Sequence, residues 1–304
     1  MSIEADTKAV HKVSKRRTNI REKLIEKTII VSGSTTIVLV MLIFVFLLKD
    51  ALPILKTVSL KHFLLGQDWY PLSNQFGILS LIVGSLMVTA GAIVIGMPIG
   101  IAAAVYIGEV ASPRVREILK PTVETLAAIP SIVVGFLGYM LLAPWIQKIF
   151  QLPTGLTALT GSIMLAFMSM PTIISISEDA LNAVPNDYRS GSLALGATKW
   201  QTIYRVVIPA ARSGMLAAVM LGIGRAIGET MTVLMVTGNT AMIPKTFLAP
   251  VRTMTATIAA EMGETVQHSP HYYSLFAIGA VLFLMTFAIN LIADLALQKS
   301  RRNG

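Results

Sequence analysis

Residues 77–107 read GILSLIVGSLMVTAGAIVIGMPIGIAAAVYI, a run of 31 residues without a single Lys, Arg, Asp or Glu. As one helix it is about 46 Å long, against roughly 30 Å of bilayer hydrocarbon. Such a helix has to tilt, kink or protrude. Gly96-Met97-Pro98-Ile99-Gly100 is the expected break, because Pro98 removes a helical N–H and clashes with the preceding turn.

Working outward, five further apolar runs are long enough to cross a bilayer: Thr28 to Leu48, Pro121 to Ala143, Leu159 to Ser177, Ser213 to Thr237 and Tyr272 to Leu297. None alternates with the period of two that marks a barrel strand. The expected fold is therefore all-α and polytopic, with a basic segment at 1–27, six spans within 28–297 and a tail at 298–304. Composition agrees, with 54% hydrophobic and 13% charged residues and a mean hydropathy of +0.70. These values exclude a soluble globular enzyme and a disordered chain. The absence of cysteine removes disulfide frameworks, thiolate metal sites and cysteine nucleophiles. The basic leader and the 21-residue run after it exceed a typical signal peptide, so the first run is read as a retained anchor.

The net charge of +9 is explained by topology. With the N-terminus inside, the cytoplasmic segments hold Lys8, Lys12, Lys15, Arg16, Arg17, Arg21, Lys23 and Lys27, then Arg114, Arg116 and Lys120, then Arg189, Lys199, Arg205 and Arg212, then Lys299, Arg301 and Arg302. The outer segments hold only Lys49, Lys56, Lys61, Lys148, Lys245 and Arg252. This bias follows the positive-inside rule, places both termini in the cytoplasm and leaves no excess charge that calls for a nucleic acid.

Between the fourth and fifth runs, residues 178–212 form the longest polar-rich cytoplasmic segment. Pro185 stops one helical stretch, Asn186 or Asp187 is placed to cap the next, and Gly196 suits a left-handed turn. Gly191 to Thr198 reads G-x-x-x-x-G-A-T, but it lacks the lysine and the preceding strand of a nucleotide-binding loop. No enzyme motif remains, and the chain is expected to have no catalytic residue, resident cofactor or metal.

This segment resembles the cytoplasmic loop of ATP-binding-cassette importer permeases, whose pattern is E-A-A, three residues, Gly, nine residues, then I-x-L-P. Gly196 and Pro209 match in spacing, while Ser190-Gly191-Ser192 stands in the E-A-A slot. The resemblance implies a type I importer permease fold and a coupling helix near Asn186 to Leu195 that docks on a separate ATPase subunit. A plain connecting loop is the alternative. Three more stretches, Glu124-Thr125-Leu126-Ala127-Ala128-Ile129-Pro130-Ser131, Gly224-Arg225-Ala226-Ile227-Gly228-Glu229-Thr230 and 251–264, are similar to phosphate-uptake permeases of the PstC type. That likeness implies a second permease subunit of the PstA type, two ATPase subunits holding ATP and Mg, an extracytoplasmic phosphate-binding protein, and a place in the bacterial inner membrane. The alternatives are a permease for sulfate, molybdate or phosphonate, and a stand-alone secondary anion transporter.

Arg225 and Glu229 are the opposite charges in the middle of the fifth run. Each costs about 2.5 to 3.5 kcal/mol at a helix centre. At i and i+4 they share a helix face, so they either neutralise each other or serve the pathway. A guanidinium fork matches phosphate oxygens, and a carboxylate accepts the O–H that phosphate carries and sulfate lacks. Thr230 and Glu124 join them as expected pathway residues, although Glu124 also suits snorkelling or capping one turn from Lys120 and Pro121. The outer loop 238–271 is too long for a bare connector, and 253–262 is expected to form a short half-buried helix. Lys245 and Thr257 are expected to face the binding protein. His268 and His271 lack an evident third partner for a metal.

Overall fold

The computed structural model describes residues 20–302. Residues 1–19 of the basic segment and 303–304 of the tail lie outside the described residues. The chain divides into two compact units, 1–46 and 47–304. The described residues of the first, 20–46, belong to the helix α1, Ile20–Ala51.

The second unit continues with α2 (Leu60–Leu65) and a hairpin of β1 (Trp69–Tyr70) and β2 (Gln75–Phe76), in which Trp69 pairs with Phe76 and Tyr70 with Gln75. Asn74 takes the left-handed φ of 54° that closes the turn. Next come α3 (Leu79–Val105), α4 (Pro113–Ala127), α5 (Ser131–Leu137), α6 (Ala143–Phe150) and α7 (Ala158–Asn182). The 178–212 segment forms α8 (Asn186–Ala194) and α9 (Lys199–Thr202). It is followed by α10 (Ile208–Gly228), α11 (Met231–Val236), α12 (Met254–Glu261) and α13 (Pro270–Arg302). Among the described residues, six helical stretches are long and apolar enough to cross a membrane, as the all-α polytopic reading expects.

Three boundaries differ from the sequence reading. The helix α3 runs unbroken through Pro98. Its glycines serve packing instead: a Cβ at Gly91 would come within 2.3 Å of Ser162 Oγ, and one at Gly100 within 3.0 Å of Ile173. Backbones approach this closely where apolar surface gains nothing over lipid and van der Waals packing drives association.

The third membrane helix is Ser131–Phe150, not 121–143. The run 121–143, whose single charge is Glu124, hides a break at Ala128-Ile129-Pro130, where Pro130 takes an extended ψ of 134° and precedes α5. Residues 113–127 form the separate helix α4, which carries Arg114, Arg116, Glu117, Lys120 and Glu124. The fifth run also breaks, at Glu229 and Thr230 between α10 and α11.

Wide π turns at Gly138–Leu142 and Ile203–Val207 each precede a proline, Pro144 and Pro209. Both prolines remove an N–H, and the wide turn lets the helix continue without it. A third π turn, Tyr106–Val110, ends the helix begun by α3.

Buried residues form three clusters at successive levels of α3. Leu81 sits with Phe63, Trp69, Phe76, Met254 and Leu275. Val88 and Ala92 sit with Leu165, Ala226, Val233 and Val251. Ala104 sits with Leu181, Val184, Ile203, Val207 and Met215, beside α8 and α9. The 238–253 loop laces over the start of α7, where Ala249 and Phe247 carbonyls accept the N–H groups of Ala158 and Leu159. These are helix-start donors with no partner inside α7.

Candidate functional site

Arg225 lies on the last turn of α10 and is exposed. It lines an open cavity of about 530 Å³ with Ala217, Met220, Leu221, Gly224, Asn290 and Asp294. Among the described residues no hydrogen bond or ion pair engages its guanidinium. Asn290 comes from α13, and its Oδ1 is 3.9 Å from where a Cβ on Gly224 would stand. Asp294 sits one turn further on, near the end of the sixth apolar run, where the sequence reading gave it no role.

Glu229 does not share a helix face with Arg225. The helix ends at Gly228, and Glu229 has φ −67° and ψ 134°. Its carboxylate turns onto the start of α11, where Oε1 accepts the N–H of Thr230 at 3.1 Å and of Thr232 at 3.3 Å. A carboxylate at a helix start satisfies orphan donors and complements the dipole. The Glu229 carbonyl accepts the Thr255 hydroxyl at 2.8 Å, and Thr230 Oγ1 donates to the Gly228 carbonyl. The break is therefore held by α12 as well as by its own residues.

Glu124 is in a different place. With Arg116, Glu117, Lys120, Pro121, Glu178 and Asn182 it lines a cavity of about 520 Å³ between α4 and the end of α7. At the centre is Glu178, with its side chain only 2% exposed. Arg116 donates to Oε1 from Nη2 at 2.6 Å and from Nε at 3.2 Å, Asn182 Nδ2 donates to the same oxygen at 2.6 Å, and Lys120 Nζ reaches Oε2 at 2.7 Å. The hydrogen bond to Glu178 raises the pKa of Lys120 above the ordinary ammonium value, so this cation stays charged. Sequence reading missed this cluster, since Glu178 is 62 residues from Arg116.

In the 178–212 segment, Pro185 precedes α8 without a side-chain cap, so neither Asn186 nor Asp187 plays the expected capping part. Gly196 does take the left-handed turn, with φ +84°. Thr198 and Gln201 form a reciprocal capping box that opens α9. Ser190 folds back on its own helix, donating to the carbonyls of Asn186 and Asp187. The Ser192 hydroxyl lies 3.0 Å from that of Thr202 and ties α8 to α9. A Cβ at Gly191 would meet nothing within 4 Å. Pro209 stands in the first turn of α10. The outer surface mixes polar residues such as Asp187, Lys199 and Arg205 with apolar ones: Tyr188, Leu193, Trp200 and Tyr204 are exposed and Leu195 is 91% exposed.

In the other loop, α12 matches the expected short helix, with Thr253 capping it. Thr257 is fully buried and donates to the Thr253 carbonyl, so it faces no partner; the expectation for it was wrong because α12 turns that face inward. His271 Nε2 lies 2.7 Å from Glu261, which also pairs with Arg252 and accepts Trp69 Nε1–H, whereas His268 stands beside Tyr272 and Tyr273.

Comparison with known proteins points one way. The family described as "Binding-protein-dependent transport system inner membrane component" matches residues 96–302. A probable ABC transporter permease protein, YqgH of Bacillus subtilis, is 40% identical over 237 residues, covering 77% of each chain. The phosphate transport system permease protein PstC of Mesorhizobium japonicum is 37% identical over 256 residues, covering 78% of each. That of Haemophilus influenzae is 30% identical over 295 residues, covering 88% of this chain and 92% of its own. Among solved structures, a bacterial alginate ABC transporter in complex with its alginate-bound periplasmic protein superposes with a TM-score of 0.62 at 15% identity, covering 90% of this chain and 93% of that one. The inward-facing MetNI methionine ABC transporter superposes with a TM-score of 0.54 at 18% identity, covering 73% and 95%.

Proposed function

From the premise that the chain belongs to the family of binding-protein-dependent inner-membrane transport components, we propose that it is the PstC-type subunit of an ATP-driven importer of inorganic phosphate. The observation that carries the oxyanion reading is Arg225. Its always-charged fork lines an open cavity in an apolar helix and has no ion-pair partner among the described residues. The relatives named for phosphate transport support phosphate within that class. Phosphate near neutral pH carries one or two O–H donors, and the Asn290 side-chain oxygen on the same wall is an acceptor. Sulfate cannot donate. In this reading a PstA-type partner completes the pathway, a binding protein delivers phosphate on the 238–271 side, and both termini and the 178–212 loop face the cytoplasm. The assembly has two ATPase subunits, which hold the ATP and Mg, and one of them docks on the exposed surface of α8 and α9.

The direct test is uptake by ATP-loaded proteoliposomes holding the co-purified assembly, with labelled phosphate, sulfate and molybdate presented by binding protein outside. Phosphate uptake well above the other two is expected. Uptake led by molybdate or sulfate would replace the substrate, and uptake without a co-purifying ATPase would replace the transporter class.

Gly196→Val tests the loop. A Cβ at this position would meet no atom within 4 Å, so the main cost is the left-handed backbone, about 1 to 2 kcal/mol. The chain should fold and insert normally while the α8–α9 turn is displaced, with ATPase co-purification weakened and uptake lost. Wild-type uptake in this variant would show that the turn geometry has no part in docking.

A further inference from the structure

We propose that Arg189 is the joint through which a displacement of α8 moves the end of the second membrane helix. This deepens the reading of α8 as the ATPase-docking helix and rests on it. Arg189 lies in the first turns of α8, and its guanidinium binds two other elements at once. Toward the second membrane helix, Nη2 is 2.5 Å from Glu109 Oε1 and Nε is 3.3 Å from Oε2, a side-on two-point contact. Toward the end of α7, Nη2 donates to the Leu181 carbonyl at 2.8 Å, and just beyond that helix Nη1 donates to the Val184 carbonyl at 2.6 Å. The Leu181 carbonyl lies in the last turn of α7 and the Val184 carbonyl two residues beyond it, and a cation at a helix C-terminus is favoured by the dipole. The Glu109 side chain is 8% exposed and that of Arg189 is 21% exposed, so water competes weakly for either.

The placement of Glu109 gives the contact its consequence. It belongs to the π turn Tyr106–Val110 that closes the helix begun by α3. Wide turns of this kind occur often at functional sites, and this one lies between the rigid α3 and the start of α4. The outer face of α8 is exposed, and the helix meets the rest of the chain through Arg189, through the Ser192–Thr202 hydroxyl pair and by packing on the π turn Ile203–Val207. Of these, only Arg189 makes a directional, charged contact with the second membrane helix. A push on α8 is thereby conveyed to Glu109 at the end of the helix that packs most extensively on α7. Lysine would supply the charge but not the fork that reaches three acceptor groups together. Arg189 acts as a positioning residue, touching neither nucleotide nor transported anion.

The experiment reads labelled phosphate uptake and ATP hydrolysis in the same proteoliposomes, with the full assembly and binding protein present. In Arg189→Gln and Glu109→Gln the ATPase subunits should still co-purify and hydrolysis should stay within about twofold of wild type, while uptake per ATP falls about tenfold, a typical size for coupling between sites. A role confined to docking would lower hydrolysis and uptake in proportion, and that result overturns the proposal. So does unchanged uptake per ATP in Glu109→Gln. Should Arg189→Gln fail to assemble, Glu109→Gln decides alone, because it leaves the carbonyl contacts of Arg189 in place. The chain has no native cysteine, so a short bifunctional thiol reagent can bridge the Glu109→Cys/Arg189→Cys double variant. Restored uptake per ATP supports a mechanical joint, and no recovery in bridged protein overturns it. Absence of phosphate uptake or of a co-purifying ATPase in the wild-type chain would instead overturn the underlying function, before any variant is compared.

Discussion

Arg225→Gln should abolish phosphate uptake while leaving the assembly at wild-type yield and thermal stability. A fork donating to a charged oxygen is worth about 1.5 to 3 kcal/mol per hydrogen bond, so losing two such contacts lowers transport by roughly a hundredfold or more. Stability is unaffected for a structural reason. The Glu229 carboxylate already accepts two backbone N–H groups of α11 and does not depend on Arg225. Arg225 itself is exposed to its cavity, so its removal leaves no buried orphan.

This expectation reverses the one that an i, i+4 ion pair would give. A paired helix would lose stability on Arg225→Gln and regain it when Glu229→Met was added. Here Glu229→Met should itself cost about 1 kcal/mol, the usual loss of a helix-start cap, with or without Arg225. Arg225→Lys separates field from geometry, since it keeps the charge and loses the fork. Uptake at the wild-type rate and selectivity in Arg225→Lys would reject the bidentate contact and leave only a positive field in the pathway.

The same comparison shows what was legible in the residues. Apolar runs flanked by charge predicted six spans, because the cost of burying charge in lipid is large enough to override local detail. Gly196 was legible, since a left-handed turn after an amphipathic stretch favours glycine. The breaks at Pro130 and Glu229 were not. Both lie inside stretches chosen for low charge, and neither hydropathy nor a proline at a helix edge fixes which side of the break enters the membrane. Pro98, the more conspicuous residue, breaks nothing, because α3 packs on α7 on both sides of it. The ionic contacts were hidden by distance along the chain, 80 residues for Arg189 and Glu109. A local trace of one existed: Glu178 and Asn182 stand at i and i+4 where α7 turns polar, the spacing of one helix face. Asp294 was overlooked because the long apolar stretch before it governs any windowed reading of α13.

The Glu178 cluster should show a strong asymmetry between removing the anion and removing its partners. Glu178 is the buried member, at 2% exposure, whereas the side chains of Arg116 and Lys120 are 34% and 37% exposed. The double variant Arg116→Met/Lys120→Met therefore leaves a carboxylate away from water with Asn182 as its remaining donor. Breaking a buried pair in this way costs about 3 to 5 kcal/mol, or forces the carboxyl to take up a proton. The reverse change, Glu178→Leu, leaves two cations that reach solvent by small rotations, so its cost should be nearer 1 kcal/mol. Combining all three substitutions should recover most of the loss, because an apolar replacement of a buried ionic cluster is often as stable as the original. Thermal midpoints of the detergent-solubilised chain measure each step, and equal losses in the double variant and in Glu178→Leu would show that the carboxylate is hydrated after all. If the asymmetry holds, the cluster fastens α4 to the polar end of α7 through a group that tolerates no loss of its partners, so relative movement of these two helices has to carry Glu178, Arg116 and Lys120 together.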